Sequence, residues 1–367
     1  MKIVFDNIIF WLQKSGGISV YWYELINNFT KYPDQNITFL NLDEDSDNIN
    51  FPNLSDQNVV SEKKKWKYFN RFFSLYVVET EKFIFHSSYY RICKSAEAVN
   101  ITTVHDFTMD FLEKGLRRKI HYHLKRYAIK RSQGIICISE NTKNDLFKLH
   151  PWVDPATVKV IYNGVGYKFK IINNAYEIVS QKIPNIDKNK KYLLFVGSRA
   201  NYKNFDVAVD SVSILDSVYH LLIVGKNLTN TEELFLQNKI AGRYSVVSDV
   251  SEDYLNAIYN IAFCLLYPSK YEGFGIPPLE AMKAGCPVIA ANASSIPEVV
   301  GNAGILINRI TSRSIAEAVM FLENDDIRND FVNKGLINAQ MFSWEKNFYE
   351  HKLFYEEIYD RNKNRFE

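Results

Sequence analysis

The chain has 367 residues, more than one hydrophobic core usually serves, so two domains are expected. With 47% hydrophobic and 14% aromatic residues there is ample material for cores. A formal net charge of +2 gives no bulk attraction to a polyanion, and no nucleic-acid-binding motif stands out, so nucleic acid is not an expected partner.

In chain order, the run from Ile3 to Leu12 is interrupted by Asp6 and Asn7 and lacks a small-residue cleavage site, which favours a first strand over a signal segment. Further strands are expected at 83–86, 101–104, 134–138 and 158–162, then at 192–196, 221–224, 264–267, 288–290 and 304–307. Helical spacing fills the gaps, giving an α/β chain. Residues 166–191 are polar, rich in Asn and Lys and strand-poor, and read as the linker. The tail from Trp344, with Phe348, Leu353, Phe354 and Ile358, has helical spacing. Cys93, Cys137, Cys264 and Cys286 lack metal-type spacing and read as reduced packing residues of a cytosolic protein. No apolar stretch approaches bilayer length.

The most informative segment is Tyr271-Glu272-Gly273-Phe274-Gly275-Ile276-Pro277-Pro278-Leu279-Glu280-Ala281-Met282. A short buried strand ending at Tyr267 leads into it, Gly273 and Gly275 allow a sharp turn, and the prolines start a helix near 277 that stops around Gly285. In such a unit ligands bind beyond the carboxyl ends of the strands, and the free amides of a helix start suit phosphate. Two carboxylates, Glu272 and Glu280, flanking an anion site match a ligand with hydroxyls on both sides of a diphosphate. Either glutamate alone reads sooner as an ordinary surface residue; the whole string favours the ligand.

The spacing Glu272-x7-Glu280 within Glu-Gly-Phe-Gly-Ile-Pro-Pro-Leu-Glu-Ala resembles the retaining glycosyltransferases of family 4. Phe195-Val196-Gly197-Ser198-Arg199 with Tyr202-Lys203-Asn204 resembles that family's diphosphate-binding turn, and Val160-Ile161-Tyr162-Asn163-Gly164-Val165 its interdomain signature. Gly16-Gly17-Ile18-Ser19 resembles its N-terminal glycine loop, and Ile136-Cys137-Ile138-Ser139-Glu140 with Thr142-Lys143 the strand and helix before the linker. The resemblance implies the GT-B fold: two Rossmann-like domains with parallel sheets facing across a cleft, and a C-terminal helix crossing back to the first. Domain one would comprise 1–168 plus 350–367, and domain two 169–349.

The resemblance also implies roles. Glu272 would hold hydroxyls of the transferred hexose in a positioning and electrostatic role, Glu280 the ribose, and Gly273, Phe274, Gly275 and Ile276 the sugar and phosphate through amides. Arg199 and Lys203, each able to supply charge-assisted bonds of roughly 1.5–3 kcal/mol, would meet charge on the leaving diphosphate, with Ser198 and Gly225 nearby. Many relatives place the arginine directly after the glycine, where this chain has Ser198. Gly16 and Gly17 would approach the donor phosphates. His105 and Asp106, after the strand at 101–104, and more weakly His86, are candidates for the acceptor side; His105 is equally readable as a loop residue satisfied by Asp106. Catalysis is thus expected from Glu272, Arg199, Lys203 and His105.

Asp43-Glu44-Asp45 and Asp45-Ser46-Asp47 mimic a D-x-D metal motif but sit in an Asn/Asp-rich run and read as a solvated loop. No divalent metal and no cofactor are expected, the nucleotide sugar being substrate. Arg117, Arg118, Lys119, Lys125, Arg126, Lys130 and Arg131, interleaved with Ile120, Tyr122, Leu124, Tyr127 and Ile129, form a basic amphipathic stretch. With Lys63-Lys64-Lys65-Trp66-Lys67 and Phe72-Phe73 it reads either as an anionic-membrane contact, at about 1 kcal/mol per placed charge, or as an ordinary solvated helix face. The expected protein is a cytoplasmic enzyme, peripheral on the inner face of the plasma membrane if that stretch docks. It would transfer a hexose, with GDP-mannose preferred as donor, to a lipid-linked or oligosaccharide acceptor of a bacterial surface glycan such as O-antigen, capsule or lipopolysaccharide. The alternatives are a nucleotide-sugar epimerase of the same fold, or a sugar-nucleotide-binding protein without turnover.

Overall fold

The computed structural model describes every residue except 33–35, 44, 56, 64–68, 184–185 and 364–367. The chain forms two compact units, Met1–Gly164 together with the chain from Trp344 onward, and Val165–Ser343. The second division falls at Trp344 and not near 350, because Trp344–Lys363 is one continuous helix whose first residue is already buried.

The first unit is built on β1 (Lys2–Asp6), β2 (Asn36–Leu42), β3 (Asn58–Glu62), β4 (Phe83–Ser87), β5 (Ala98–Val104), β6 (Gly134–Cys137) and β7 (Val158–Val160). They form a parallel sheet in the order β3-β2-β1-β4-β5-β6-β7. Parallel strands are covered on both faces, and β4 is buried at all five positions. Strands β2 and β3 were not among the expected elements. Edge strand β3 reads Asn-Val-Val-Ser-Glu and lies mostly exposed, so it has no apolar run to betray it. The final helix, Trp344–Lys363, packs on this unit: Phe354 and Ile358 lie so close over Gly134 that a Cβ there would stand 3.1 Å from each. Trp344, Phe348, Phe354 and Ile358 of its expected apolar stripe are buried, whereas Leu353 is exposed.

The second unit carries β8 (Lys191–Val196), β9 (Tyr219–Val224), β10 (Tyr244–Val247), β11 (Ala262–Tyr267), β12 (Val288–Ala291) and β13 (Ile305–Ile307), parallel in the order β10-β9-β8-β11-β12-β13. Leu193, Leu221, Ile223 and Leu266 of the sheet meet Val209, Val212 and Val319 of its helices in one core. The strand order reverses between β8 and β11, and at such a switch point the loops leave in opposite directions and open a crevice. The stretch read as linker is partly structured. It contains the helix Ala175–Ser180, and the amides of Lys170 and Ile172 donate to the side chains of Asn256 and Asn260, 86 and 88 residues away. Among the described residues no helix is long and apolar enough to cross a membrane.

Candidate active site

At the switch point of the second unit, β8 ends in Gly197 (φ 116°), whose amide donates to the Val224 carbonyl at 2.8 Å. Gly225, at the end of β9, is required by space: a Cβ there would lie 2.6 Å from the Gly197 carbonyl oxygen. Ser198 is exposed at the rim. The turn Asn201–Lys203 follows, then Asn204 in the left-handed region (φ 51°), which starts the helix Phe205–Ser213. Asn204 Nδ2 donates to the Pro268 carbonyl at 2.8 Å, and the Lys270 amide to the Tyr202 carbonyl at 2.7 Å. These two bonds zip the loop after β8 to the loop after β11.

That zipper brings Lys203 Nζ to 2.8 Å from Glu272 Oε1, with each side chain 14% exposed. An ammonium and a carboxylate thus meet across the crevice between β8 and β11. The Glu272 backbone is held from both sides: its amide donates to Ser294 Oγ at 2.8 Å, and its carbonyl accepts from Ser294 Oγ at 3.1 Å and Ser295 Oγ at 2.9 Å. Ser295 Oγ also reaches the Phe274 carbonyl at 2.8 Å. Phe274 turns its ring into the core against Phe342, at 5.8 Å between ring centroids, leaving only its backbone near Gly273 and Gly275 for a ligand. Gly275 (φ 121°) caps the helix Ile276–Lys283, a backbone that side chains resist.

Glu280 points back from that helix and accepts from the Tyr259 hydroxyl at 2.9 Å. Burial pushes its carboxyl up to about 7, against the stabilising Tyr259 bond. The Tyr267 hydroxyl, at the end of β11, is held protonated well above its ordinary range, first by burial and then by the Glu272 carboxylate; Glu280 acts on it as well. Tyr267 therefore stands within the field of both glutamates and ties them into one locality.

Arg199 is engaged elsewhere. Its guanidinium donates from Nε to Glu232 Oε1 at 2.7 Å, from Nη2 to Glu232 Oε2 at 3.2 Å and the Asn227 carbonyl at 2.9 Å, and from Nη1 to the Lys226 carbonyl at 3.0 Å. Four of five donors are occupied, and the side chain is 6% exposed. Glu232 in turn closes a capping box with Thr229 at the start of the helix Asn230–Ile240. The arginine bond, before all else, holds the Glu232 carboxyl down at about 2. Of the two cations expected at the diphosphate, Lys203 faces the crevice and Arg199 braces the β9 loop.

In the first unit the candidates part company. His86 is fully buried, its Nδ1 hydrogen-bonded to the Tyr355 hydroxyl and its Nε2 to Thr103 Oγ1 at 2.9 Å. The network continues through Tyr21, which bonds Thr103 and reaches His351 Nε2 at 2.6 Å, while His351 Nδ1 donates to the Asn347 carbonyl at 2.7 Å. His86 thus clamps the C-terminal helix to the sheet. His105 keeps partial exposure, edge-on to the Tyr21 ring at 4.8 Å, and burial lowers its imidazole to about 4. Asp106 accepts from the Thr108 amide at 2.9 Å, capping its own turn. Beneath that turn lies a residue the basic pattern disguised. Lys125 is fully buried, with Nζ 2.5 Å from Asp110 Oδ2, 2.8 Å from the Asp106 carbonyl and 4.3 Å from the Phe107 ring centroid.

Gly16 and Gly17 open the helix Gly17–Thr30, and nothing lies within 4 Å of where a Gly17 Cβ would stand. The run after β2 is docked, not merely solvated: Ser46 Oγ donates to the Phe10 carbonyl, and Asn48 Nδ2 to the Gln13 carbonyl at 2.6 Å. Glu44 of the first D-x-D look-alike lies outside the described residues, and among those described no group of three His, Cys, Asp or Glu is placed to hold a metal. Lys64, Lys65, Trp66 and Lys67 of the basic stretch also lie outside them.

Residues 15–167 match the family model described as Glycosyltransferase Family 4, and residues 178–336 the model described as Glycosyl transferases group 1. The chain belongs to glycosyltransferase family 4. It is 27% identical over 225 residues to the O-antigen chain mannosyltransferase RfbU of Salmonella typhimurium, covering 60% of either chain. It is 32% identical over 162 residues to the O-antigen chain mannosyltransferase B of Escherichia coli, covering 42% of either chain. The matches thus span 60% and 42% of these relatives' lengths. The sucrose-phosphate synthase from Thermosynechococcus elongatus superposes with a TM-score of 0.76 at 16% identity, covering 99% of this chain and 100% of that one. This likeness gives the family 4 chain its GT-B fold. The two family models divide at 167 and 178, within the partly helical stretch that opens the second unit.

Proposed function

We propose that the protein is a retaining, metal-independent glycosyltransferase that takes a hexose from a nucleotide-diphosphate sugar, with GDP-mannose the preferred donor. The observation that carries the reading is the Lys203–Glu272 pair, 2.8 Å apart at the switch point of the second unit. A cation beside a hydroxyl-accepting carboxylate suits a phosphate joined to a sugar, and the amides opening the helix Ile276–Lys283 add positive potential. Glu280 takes the ribose, and Gly273, Phe274, Gly275 and Ile276 serve through their backbone. Lys203 meets charge on the leaving diphosphate, and Arg199 acts as a positioning residue that holds the Gly225 loop. With Lys203 and the helix start balancing the phosphates, no divalent ion is needed.

His105 and Asp106 belong to the acceptor side in this reading, and the Gly16–Gly17 loop to the phosphates. The acceptor is a lipid-linked or oligosaccharide intermediate of a bacterial surface glycan. The kinship with O-antigen mannosyltransferases supports both the mannose preference and the glycan context. Peripheral attachment to the anionic inner face of the plasma membrane through the helix Leu116–Arg131 completes it.

A thermal-shift screen across GDP-, UDP- and dTDP-sugars tests the donor, since a ligand that binds only the folded state raises the midpoint in proportion to its affinity. GDP-mannose should give the largest shift, reduced in Glu272→Ala. Donor hydrolysis that survives in Glu272→Ala, or is abolished by a chelator, would overturn the assignment. Product formed without any acceptor would identify an epimerase instead, and binding without turnover a sensor.

A further inference from the structure

Two cavities of the first unit share a wall. One, of about 620 Å³, opens at the amino ends of β4, β5 and β6, where Lys82, Lys94, Lys130 and Arg131 line it together with the amide side chains of Asn100 and Gln133. Lys82 is paired with Glu97 at 3.3 Å, but no carboxylate among the described residues pairs with Lys94, Lys130 or Arg131. The second cavity, also about 620 Å³, is an open groove walled by Phe72, Ile120 and Leu124, with Arg126 at its margin. Tyr127 and Lys130 line both.

The helix that forms this wall is oddly exposed. Of the sixteen residues of Leu116–Arg131, only Lys125, Ala128 and Ile129 are buried, while Leu116 is 72% exposed and Ile120, Tyr127 and the neighbouring Phe72 are 37–38% exposed. Apolar side chains left open beside unbalanced cations call for an amphiphile, because a free anion would leave the groove empty and a neutral lipid would leave the cations unanswered. The charge fixes the sign of the head, and continuity through Tyr127 and Lys130 fixes the order of head and chain.

We propose that the two cavities are one binding site for an anionic glycerophospholipid, its phosphate head among Lys94, Lys130 and Arg131 and an acyl chain along Phe72, Ile120 and Leu124. The inference rests on the peripheral attachment proposed above and narrows it from a diffuse electrostatic contact to a stoichiometric site. The site also stands apart from the acceptor. It lies at the amino end of β5, whereas His105 follows the carboxyl end, and the seven residues of Ala98–Val104 separate the two edges by about 20 Å. This lipid would anchor the enzyme without being its substrate.

The test uses the full chain and dihexanoyl phosphatidylglycerol below its micelle concentration, with dihexanoyl phosphatidylcholine and inorganic phosphate as the other arms. Calorimetric titration should show saturable one-to-one binding of the phosphatidylglycerol, with at least tenfold weaker binding of the other two. Lys94→Glu/Lys130→Glu and, separately, Ile120→Ser should each weaken it at least tenfold with an unchanged denaturation midpoint, since all three side chains are surface-exposed. Phosphate binding as tightly as the lipid would overturn the site, as would variants that bind like the parent. Salt-sensitive sedimentation with phosphatidylglycerol vesicles alongside a flat short-chain titration would also overturn it while leaving diffuse attachment standing.

Discussion

The carboxyl edges of the two sheets solve the same problem in different ways. In the second unit the crevice is assembled from turns adjacent to their strands: Asn204 beside Lys203, Gly225 at the end of β9, Ser294 and Ser295 just after β12. In the first unit the edge depends on buried polar groups brought from afar, His86 to Tyr355 across 269 positions and Tyr21 to His351 across 330. Local turn chemistry can hold a ligand-facing pair such as Lys203 and Glu272 without burying charge deeply. The long-range network ties the C-terminal helix to the sheet at the cost of placing titratable groups in the core.

The sharpest way to break this contrast is to remove one ion from each edge. Lys125→Met leaves Asp110 buried without its cation, and losing one partner of a buried pair costs about 3–5 kcal/mol. Among the described residues every tryptophan, 11, 22, 152 and 344, lies in the first unit, so their fluorescence during denaturation reports on it. A variant with an unchanged midpoint would mean that the pair is not a strut. Lys203→Met should do the reverse: a loss of about 10²–10³-fold in kcat/KM for donor use, the scale for removing one donor to developing charge, with little change in the midpoint. Full activity in Lys203→Met would detach the chemistry from the switch point.

Acid separates the units next. His105, His121 and His351 of the first unit are each lowered by burial from 6.5 to about 4. Between those values the unfolded chain binds protons that the folded one refuses, so stability is complete above 6.5 and is lost as pH falls toward 4. At pH 5.5 the loss is roughly 1.4 kcal/mol per histidine. Glu280 of the second unit has the opposite sign: its carboxyl is raised from 4.5 to about 7, so its contribution is full below 4.5 and fades as pH rises through 7. Tryptophan fluorescence should therefore show a lower denaturation midpoint at pH 5.5 than at 7.5, and a midpoint that rises on acidification would refute the histidine assignment.

The same contrast explains what the sequence made legible. The second unit's candidate residues could be grouped because they fall in short contiguous strings, Gly197 to Asn204 and Glu272 to Glu280, where spacing alone makes neighbours within each string. What stayed hidden was direction. Nothing in the order Gly-Ser-Arg says that Arg199 turns toward Glu232, although Thr229 followed three residues later by Glu232 is a capping-box signal that announces a structural carboxylate nearby. In the first unit, β2 breaks its apolar residues with Thr38 and Asn41 and β3 lies mostly exposed, His86 looked like an edge residue because its partner Tyr355 lies in the last helix, and Lys125 was lost among exposed lysines and arginines.

The smallest effect tests whether Arg199 belongs to the scaffold or to the chemistry. Thr229 Oγ1 accepts from the Glu232 amide at 3.3 Å, and Glu232 Oε2 accepts from the Thr229 amide at 2.7 Å, so the carboxylate that anchors Arg199 is itself anchored by the cap. Thr229→Ala removes two bonds, the one Oγ1 accepts from the Glu232 amide and the one it donates to Glu232 Oε2 at 2.9 Å, and should cost about 1 kcal/mol of stability. Because Glu232 still receives the Thr229 amide and the Arg199 fork, the guanidinium stays in place and kcat/KM should be unchanged. Arg199→Met should follow the same pattern, lowering the denaturation midpoint while kcat for the donor holds. A fall in kcat for Arg199→Met comparable to that of Lys203→Met, with no change in midpoint, would return Arg199 to the diphosphate and erase the division of labour between the two cations.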